Sequence, residues 1–307
     1  MSGVVNIKPT KKGNLSGFLH IDKIMPVILF LVASISILVS IGIVITLVVD
    51  ASNFFREVPL KEIFSKDLAP LQHVNPSFGF LPLICGTFVT TVIAMLVAIP
   101  IGFTAAMYLS EFASPAKRKV LKPIIEILAG IPTIVYGFFA YSFVTPLLMR
   151  IIPNIEAKNA LSPGLVMGIM IIPLVTSLSE DAMNSVPVSI REGALALGST
   201  KLETTIKVVV PAALSGIIAS FVLAVSRAVG ETMIVAIASG SAKNFTLDVT
   251  KPMQTMTAYI VEFTSGDASS GTVGYYSLYA VGLLLFIFTL IMNLGARFVT
   301  KKFRREY

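Results

Sequence analysis

Long apolar stretches separated by short polar segments make up most of the chain. Six of them approach or exceed the ~20 apolar residues that a helix needs to cross a bilayer. Helices are expected because lipid offers no hydrogen-bond partner to an open backbone. The pattern predicts an all-α polytopic membrane protein with six spans: 25–49, 80–109, 123–149, 161–178, 212–239 and 275–298. Together they form one membrane domain, residues 25–298, between tails of residues 1–24 and 299–307.

Proline and glycine interrupt two of these spans. Pro100 lies inside the second span, which is longer than a bilayer requires, so this helix is expected to tilt or kink. Pro132 and Gly137 lie in the middle of the third span. Broken backbone at membrane depth is tolerated where protein lines it. We therefore expect other helices to cover the third span at this point.

The placement of Lys and Arg predicts the orientation. Most of the 24 Lys and Arg residues fall in the two tails, in the turn 117–122 and in the polar segment 179–210. Such residues are in excess on the cytoplasmic side of membrane proteins. Both termini and the polar segment are therefore expected to be cytoplasmic. The net charge of +7 reflects this topology rather than nucleic-acid binding.

Composition excludes several other classes of protein. With 55% hydrophobic and 13% charged residues, the chain is not an ordinary soluble globule. It lacks the ten-residue alternation of a membrane β-barrel. Cys85 is the single cysteine and reads as a small buried hydrophobe, while His20 and His73 have no metal-ligand spacing. No metal site is predicted.

The polar segment contains an amphipathic stretch from Glu192 to Pro211. Gly198 followed by Ser199 and Thr200 is typical of one short helix ending and another beginning. Pro211 stands where the chain enters the next apolar run, a position at which a missing N–H costs little. The apolar positions at helical spacing are Ala194, Leu195, Leu197 and Leu202. On physical grounds this is either an ordinary interfacial loop or a surface helix pair that docks on a partner.

The spacing within this stretch resembles the EAA loop of binding-protein-dependent ABC transporter permeases. The matching residues are Glu192, Gly193, Ala194, Gly198, Val208, Val210 and Pro211. Gly193 stands where that family most often has Ala, a small-for-small departure. The resemblance implies a type I ABC importer (MetI-like) permease fold. It also implies that this loop is the cytoplasmic coupling helix, which binds a separate ATP-hydrolysing subunit.

Three Asp, Glu, Lys or Arg residues lie well inside the predicted spans: Glu126, Arg227 and Glu231. A charge at the centre of a membrane helix costs ~2.5–3.5 kcal/mol on insertion scales, so it requires a partner, water or a function. Glu126 is near the start of its span and can reach the interface. Arg227 and Glu231 are four residues apart and can pair on one helix face.

The pair has two interpretations. One is structural, a neutral pair that holds helices in register. The other is a binding station for an oxyanion, in which the planar fork of Arg227 donates to the anion and Thr232 adds a hydroxyl. In this second case Glu231 keeps the Arg from binding the anion too tightly, because transport requires release. The residues themselves leave both interpretations open.

Three motifs resemble PstC-type permease subunits of the phosphate ABC transporter. They are RAVGETM, IPTIVYGFF and FGFLPLICGTFVTT, and the similarity covers nearly all of residues 25–300. The resemblance implies an inorganic phosphate importer in the bacterial inner membrane. Its other components would be a PstA-like second permease, two PstB-like ATPase subunits and an extracytoplasmic PstS-like phosphate-binding protein.

Alternatives remain from the sequence alone. The chain has no G-x-x-x-x-G-K-[ST] loop and no nucleophile–base constellation, so it is expected to be a non-catalytic subunit without a cofactor of its own, ATP being bound by partners. The same architecture could carry another oxyanion, such as sulfate or molybdate. A carrier or channel that works without ATP is a further alternative, but it would need no docking helix.

Overall fold

The computed structural model describes residues 15–72, 76–267 and 271–303. Parts of both predicted tails, and His73, lie outside these residues. The chain divides into two units, residues 1–49 and residues 50–307. The long helix α1 (Leu15–Glu57) begins in the first unit, and its last turns belong to the second.

The remaining elements all belong to the second unit. Its helices are α2 (Leu60–Ile63), α3 (Leu81–Met107), α4 (Pro115–Gly130), α5 (Thr133–Phe139), α6 (Thr145–Ile151), α7 (Leu161–Asn184), α8 (Val188–Ala196), α9 (Lys201–Thr204), α10 (Val210–Ala212), α11 (Leu214–Val229), α12 (Met233–Ala238), α13 (Met256–Glu262) and α14 (Val273–Phe303). π-helical turns extend or join helices at Tyr108–Phe112, Ala140–Val144, Thr205–Val209 and Phe263–Asp267. The antiparallel strands β1 (Leu68–Ala69) and β2 (Ser77–Phe78) pair with each other.

Five helical segments are long and apolar enough to cross a membrane. They are residues 24–57, 81–112, 133–151, 161–184 and 273–298. The segments Lys201–Ala212 and Leu214–Val229 pass the same test only as a pair, and a bend of 73° separates them. The predicted all-α membrane architecture is therefore confirmed, with five candidate spans, or six if the bent pair counts as one span.

Helices α3, α7 and α11 pack together and form the core that supports the site. Small residues on α3 and α11, such as Ala94 and Ala224, meet larger apolar side chains of α7, such as Met167 and Ile171. All four side chains are fully buried. This small-against-large contact allows close helix packing, which is the main source of association between helices in a membrane.

The predicted span 123–149 is divided in the structure. Helix α4 ends at Gly130, Ile131 is extended, and α5 starts at Thr133. The cause is Pro132, which lacks an N–H and pushes the residue before it out of the helical conformation. The candidate span begins only at Thr133. Gly137, expected at the break, instead lies inside α5, where a Cβ would come within 3.1 Å of the Met233 carbonyl oxygen on α12.

The predicted span 212–239 is also interrupted. Helix α11 ends at Val229, and α12 starts at Met233. Three residues between them, Gly230 to Thr232, are outside any helix. A search for apolar runs does not detect this break, because the residues on both sides of it are hydrophobic. It places the backbone of the RAVGETM motif at the junction of two helices.

Candidate functional site

The coupling segment consists of α8 and α9, joined at Gly198 as the sequence predicts. Gly198 has φ +88°, a left-handed conformation that residues with a side chain rarely adopt. The N–H of Ser199 donates to the Ala194 carbonyl oxygen (3.2 Å), which closes the end of α8. This geometry requires glycine at position 198.

Helix α9 starts with a capping box. The Thr200 hydroxyl accepts from the Glu203 N–H (3.3 Å), and the Glu203 carboxylate accepts from the Thr200 N–H (3.0 Å). These bonds, with Lys207 nearby, lower the pKa of the Glu203 carboxyl to about 2. The cap therefore remains charged and intact at every physiological pH. It fixes the direction in which α9 leaves the Gly198 turn.

The apolar stripe of the coupling segment is solvent-facing. Leu197 is 90% exposed at the turn, and Leu195 and Leu202 are about half exposed. Glu192 is exposed and has no hydrogen bond or ion pair to any described residue. Exposed leucines beside an unpaired carboxylate are typical of a surface that another protein covers. Glu192 and the three leucines are therefore available for contact, whereas Ala194 and Pro211 are half-buried.

Arg191 attaches the coupling segment to the membrane helices. Its guanidinium donates to the carbonyl oxygens of Met183 and Val186 (both 2.6 Å) and forms an ion pair with Glu111 (3.1 Å). Met183 is near the end of α7, and Glu111 is in the π-helical turn after α3. The sequence does not predict this contact, because Arg191 and Glu111 are 80 residues apart.

Arg227 and Glu231 form the expected ion pair, with Nη1 of Arg227 2.7 Å from a carboxylate oxygen of Glu231. The pair connects the end of α11 to the break, instead of lying on one continuous helix as predicted. The Glu231 side chain is 2% exposed, whereas that of Arg227 is 41% exposed. The two charges therefore differ: the carboxylate is enclosed and the guanidinium is accessible.

Glu231 also stabilises the break. Its second carboxylate oxygen accepts the N–H groups of Met233 (3.1 Å) and Ile234 (3.3 Å), which begin α12. Its carbonyl oxygen accepts the Thr257 hydroxyl (2.6 Å), which links the break to α13. The Glu231 carboxylate thus accepts from Arg227 and from two backbone N–H groups, and it is both a helix cap and a counter-ion.

A cavity of about 370 Å³ lies beside the Arg227 guanidinium. Glu126, Thr133 and Ser177 line it together with Arg227. Two of the three charges that the sequence places inside spans, Arg227 and Glu126, thus line one cavity, although Glu126 lies in α4, before the candidate span that begins at Thr133. Thr232 does not line this cavity; its hydroxyl donates to the Gly230 carbonyl oxygen (3.3 Å).

A second buried carboxylate, Glu180, was not predicted. It is fully buried near the end of α7 and forms ion pairs with Arg118 and Lys122 (3.2 Å) of α4. The fourth span predicted from the sequence ends at residue 178, before the polar segment that contains Glu180, whereas α7 continues to Asn184. The ion pairs hold α4 against α7 and so position Glu126, which follows Lys122 by one turn.

The described residues contain no group of three or more His, Cys, Asp or Glu side chains that could hold a metal ion. Cys85 is buried, and its thiol donates to the Thr246 carbonyl oxygen (3.2 Å).

Comparison with solved structures concerns the fold. A bacterial ABC transporter that imports the acidic polysaccharide alginate aligns with a TM-score of 0.64 at 13% identity, covering 94% of this chain and 99% of that one. The MetNI methionine ABC transporter in an inward-facing conformation aligns with a TM-score of 0.56 at 16% identity, covering 74% and 95%. The chain has the MetI-like fold of ABC importer permeases.

Sequence comparison identifies the family. The phosphate transport system permease protein PstC of Mesorhizobium japonicum is 34% identical over 74% of each chain, and the probable PstC of Methanocaldococcus jannaschii is 30% identical over 82% of this chain and 87% of its own. The probable ABC transporter permease protein YqgH of Bacillus subtilis is 34% identical over 74% of each chain. A family model matches residues 98–305, which include the coupling segment and the Arg227 site. The chain belongs to the family of binding-protein-dependent transport system inner membrane components.

Proposed function

We propose that this chain is the PstC-like permease subunit of an ATP-driven inorganic phosphate importer. The observation that carries the proposal is the accessible guanidinium of Arg227, held beside a cavity by the enclosed carboxylate of Glu231. The names of the PstC relatives support phosphate as the ion. Other oxyanions, sulfate and molybdate, are the competing substrates.

Arg227 binds the ion and Glu231 limits how tightly it is held. A guanidinium has five N–H donors, of which one is used by Glu231 and another lies 3.7 Å from the Met170 sulfur. The remaining donors can reach the oxygens of a tetrahedral anion. Because the Glu231 charge offsets that of Arg227, the anion is released after passage instead of being trapped.

The coupling segment transmits the action of ATPase subunits to this site. Its exposed leucines and Glu192 form the docking surface for a PstB-like subunit. Arg191 carries the displacement to the ends of α3 and α7, because it joins all three elements. This chain is non-catalytic and holds no cofactor, ATP being bound and hydrolysed by the two ATPase subunits.

The complete importer includes a PstA-like second permease and a PstS-like phosphate-binding protein. The chain is a multi-pass protein of the bacterial inner membrane. Its termini and the coupling segment face the cytoplasm, in agreement with the excess of Lys and Arg in these regions. The binding protein then delivers phosphate from the opposite side.

Phosphate uptake tests the proposal. Cells that lack high-affinity uptake would receive this chain with the partner permease, ATPase and binding protein encoded beside it. We expect radiolabelled phosphate uptake that requires ATP and the binding protein and that sulfate and molybdate do not inhibit. Transport of sulfate or molybdate instead would overturn the substrate, and phosphate uptake without ATP would overturn the importer mechanism.

A further inference from the structure

The cavity beside Arg227 is lined by two residues with hydroxyl groups, Thr133 at the start of α5 and Ser177 inside α7. Hydroxyls in membrane helices normally donate to a carbonyl oxygen one turn earlier, as Thr87 (2.8 Å) and Thr104 (2.7 Å) do in α3. The Thr133 and Ser177 hydroxyls make no hydrogen bond to any described residue, yet both residues line the cavity.

The nearby hydroxyl groups on α7 differ from that of Ser177, because they are hydrogen-bonded. Thr176 donates to the Gly102 carbonyl oxygen of α3 (3.1 Å), and Ser179 is bonded to Ser220 of α11 (2.8 Å). On α7, therefore, the hydroxyls facing other helices are paired, and the hydroxyl facing the cavity is free. Thr133 and Ser177 are half-buried, so their hydroxyls are open to water or to a solute in the cavity.

The cavity has room for an ion with part of its hydration shell. Its 370 Å³ is roughly twelve times the ~30 Å³ share of one water molecule. Met170 and Leu178 both line it, and eight residues of helix rise place them about 12 Å apart along α7. Arg227 contacts Met170, so the cavity extends from the guanidinium along this helix.

We propose that Thr133 and Ser177 form, with Arg227, a second oxyanion position in this cavity, and that Glu126 weakens binding there. The donors are the free hydroxyls and the N–H groups of Arg227 that Glu231 leaves unused. Glu126 brings a negative charge to the same cavity from α4. Repulsion between this carboxylate and a phosphate anion favours its departure. The inference rests on the proposed phosphate transport and assigns the residues that select and release the ion.

Isosteric substitutions test the hydroxyls. In proteoliposomes containing the complete importer and its binding protein, we expect Thr133→Val and Ser177→Ala each to reduce phosphate transport per ATP about tenfold, the size expected for a hydrogen bond to an ion. Thr133→Ser and Ser177→Thr keep a hydroxyl and should retain transport. Thr104→Val, which removes an exposed hydroxyl of α3 outside the cavity, is the matched control.

The role of Glu126 is tested by loading phosphate on the side opposite the binding protein. Glu126→Gln should make transport several-fold more sensitive to inhibition by that internal phosphate, and Glu126→Asp should behave as the wild type. Unchanged sensitivity, or wild-type transport by both Thr133→Val and Ser177→Ala, would overturn the second position while leaving phosphate transport by Arg227 intact. A wild-type importer that carries no phosphate would overturn both proposals.

Discussion

At two helix breaks in this chain a glutamate accepts a backbone N–H near the start of the next helix, but the surroundings of the two breaks are opposite. At Gly198 a helix ends, and Thr200 and the exposed Glu203 form the capping box of the next one. At Gly230 a helix ends and Glu231 caps the next one, with its carboxylate enclosed. The exposed break presents leucines to a partner, and the enclosed break presents a guanidinium to a cavity. The chemistry of each site follows from its surroundings rather than from its backbone.

The largest effect is expected at the enclosed break. Arg227→Gln removes the positive charge and most of the donors, so phosphate uptake should fall at least ~100-fold. The importer should still assemble, because Glu231 keeps its bonds to α12 and α13. Uptake and copurification of the partner subunits measure the two effects. Near wild-type uptake would show that Arg227 is not required to bind the transported anion.

At the exposed break, Gly198→Val should uncouple ATP hydrolysis from transport. A side chain at φ +88° strains the backbone by ~1–2 kcal/mol, and a β-branched residue is the least tolerated. A new Cβ would meet no atom within 4 Å, so the effect comes from the backbone and not from a clash. We expect phosphate carried per ATP to fall about tenfold with normal membrane insertion. An unchanged ratio would contradict the coupling role.

The two functions of Glu231 can be separated by two substitutions. Glu231→Gln removes the charge but keeps an oxygen that can cap α12, whereas Glu231→Ala removes both. Alanine should therefore be less stable than glutamine by about 1 kcal/mol, the value of a helix cap. Thermal unfolding of the purified importer measures this difference. Equal stability would mean that the bonds to Met233 and Ile234 contribute little.

The sequence predicted the exposed break better than the enclosed one, for a physical reason. Gly198 and Thr200 are neighbours, and capping depends on residues within one turn. The Arg227–Glu231 pair also follows a local rule, four-residue spacing. By contrast, Arg191 and Glu111 are 80 residues apart, and Glu180 meets cations of another helix. No local pattern specifies such contacts, because the packing of α3, α4 and α7 creates them.

Removing the capping box of α9 should have a smaller effect, which is on stability. This effect should depend on pH only under acidic conditions. Thr200→Val should cost about 1 kcal/mol. The pKa of Glu203 in the folded chain is about 2, below its usual 4.5, so its contribution is complete above pH 4.5 and is lost as pH falls towards 2. The difference in unfolding temperature between wild type and Glu203→Gln should thus be constant from pH 6 to 8. A change within that range would contradict this assignment.

The smallest effect is expected at Gly193, five residues before Gly198 in the same short segment. Gly193 lies inside α8, and a Cβ at this position would meet no atom within 4 Å. Alanine there, the residue most frequent in the EAA pattern, should stabilise the helix by ~0.5–1 kcal/mol and leave transport unchanged. Gly193→Ala is therefore the matched control for Gly198→Val, since both add a side chain to an exposed glycine of the coupling segment. If Gly193→Ala also uncoupled transport, close contact of α8 with the ATPase subunit, rather than the turn at Gly198, would determine the coupling.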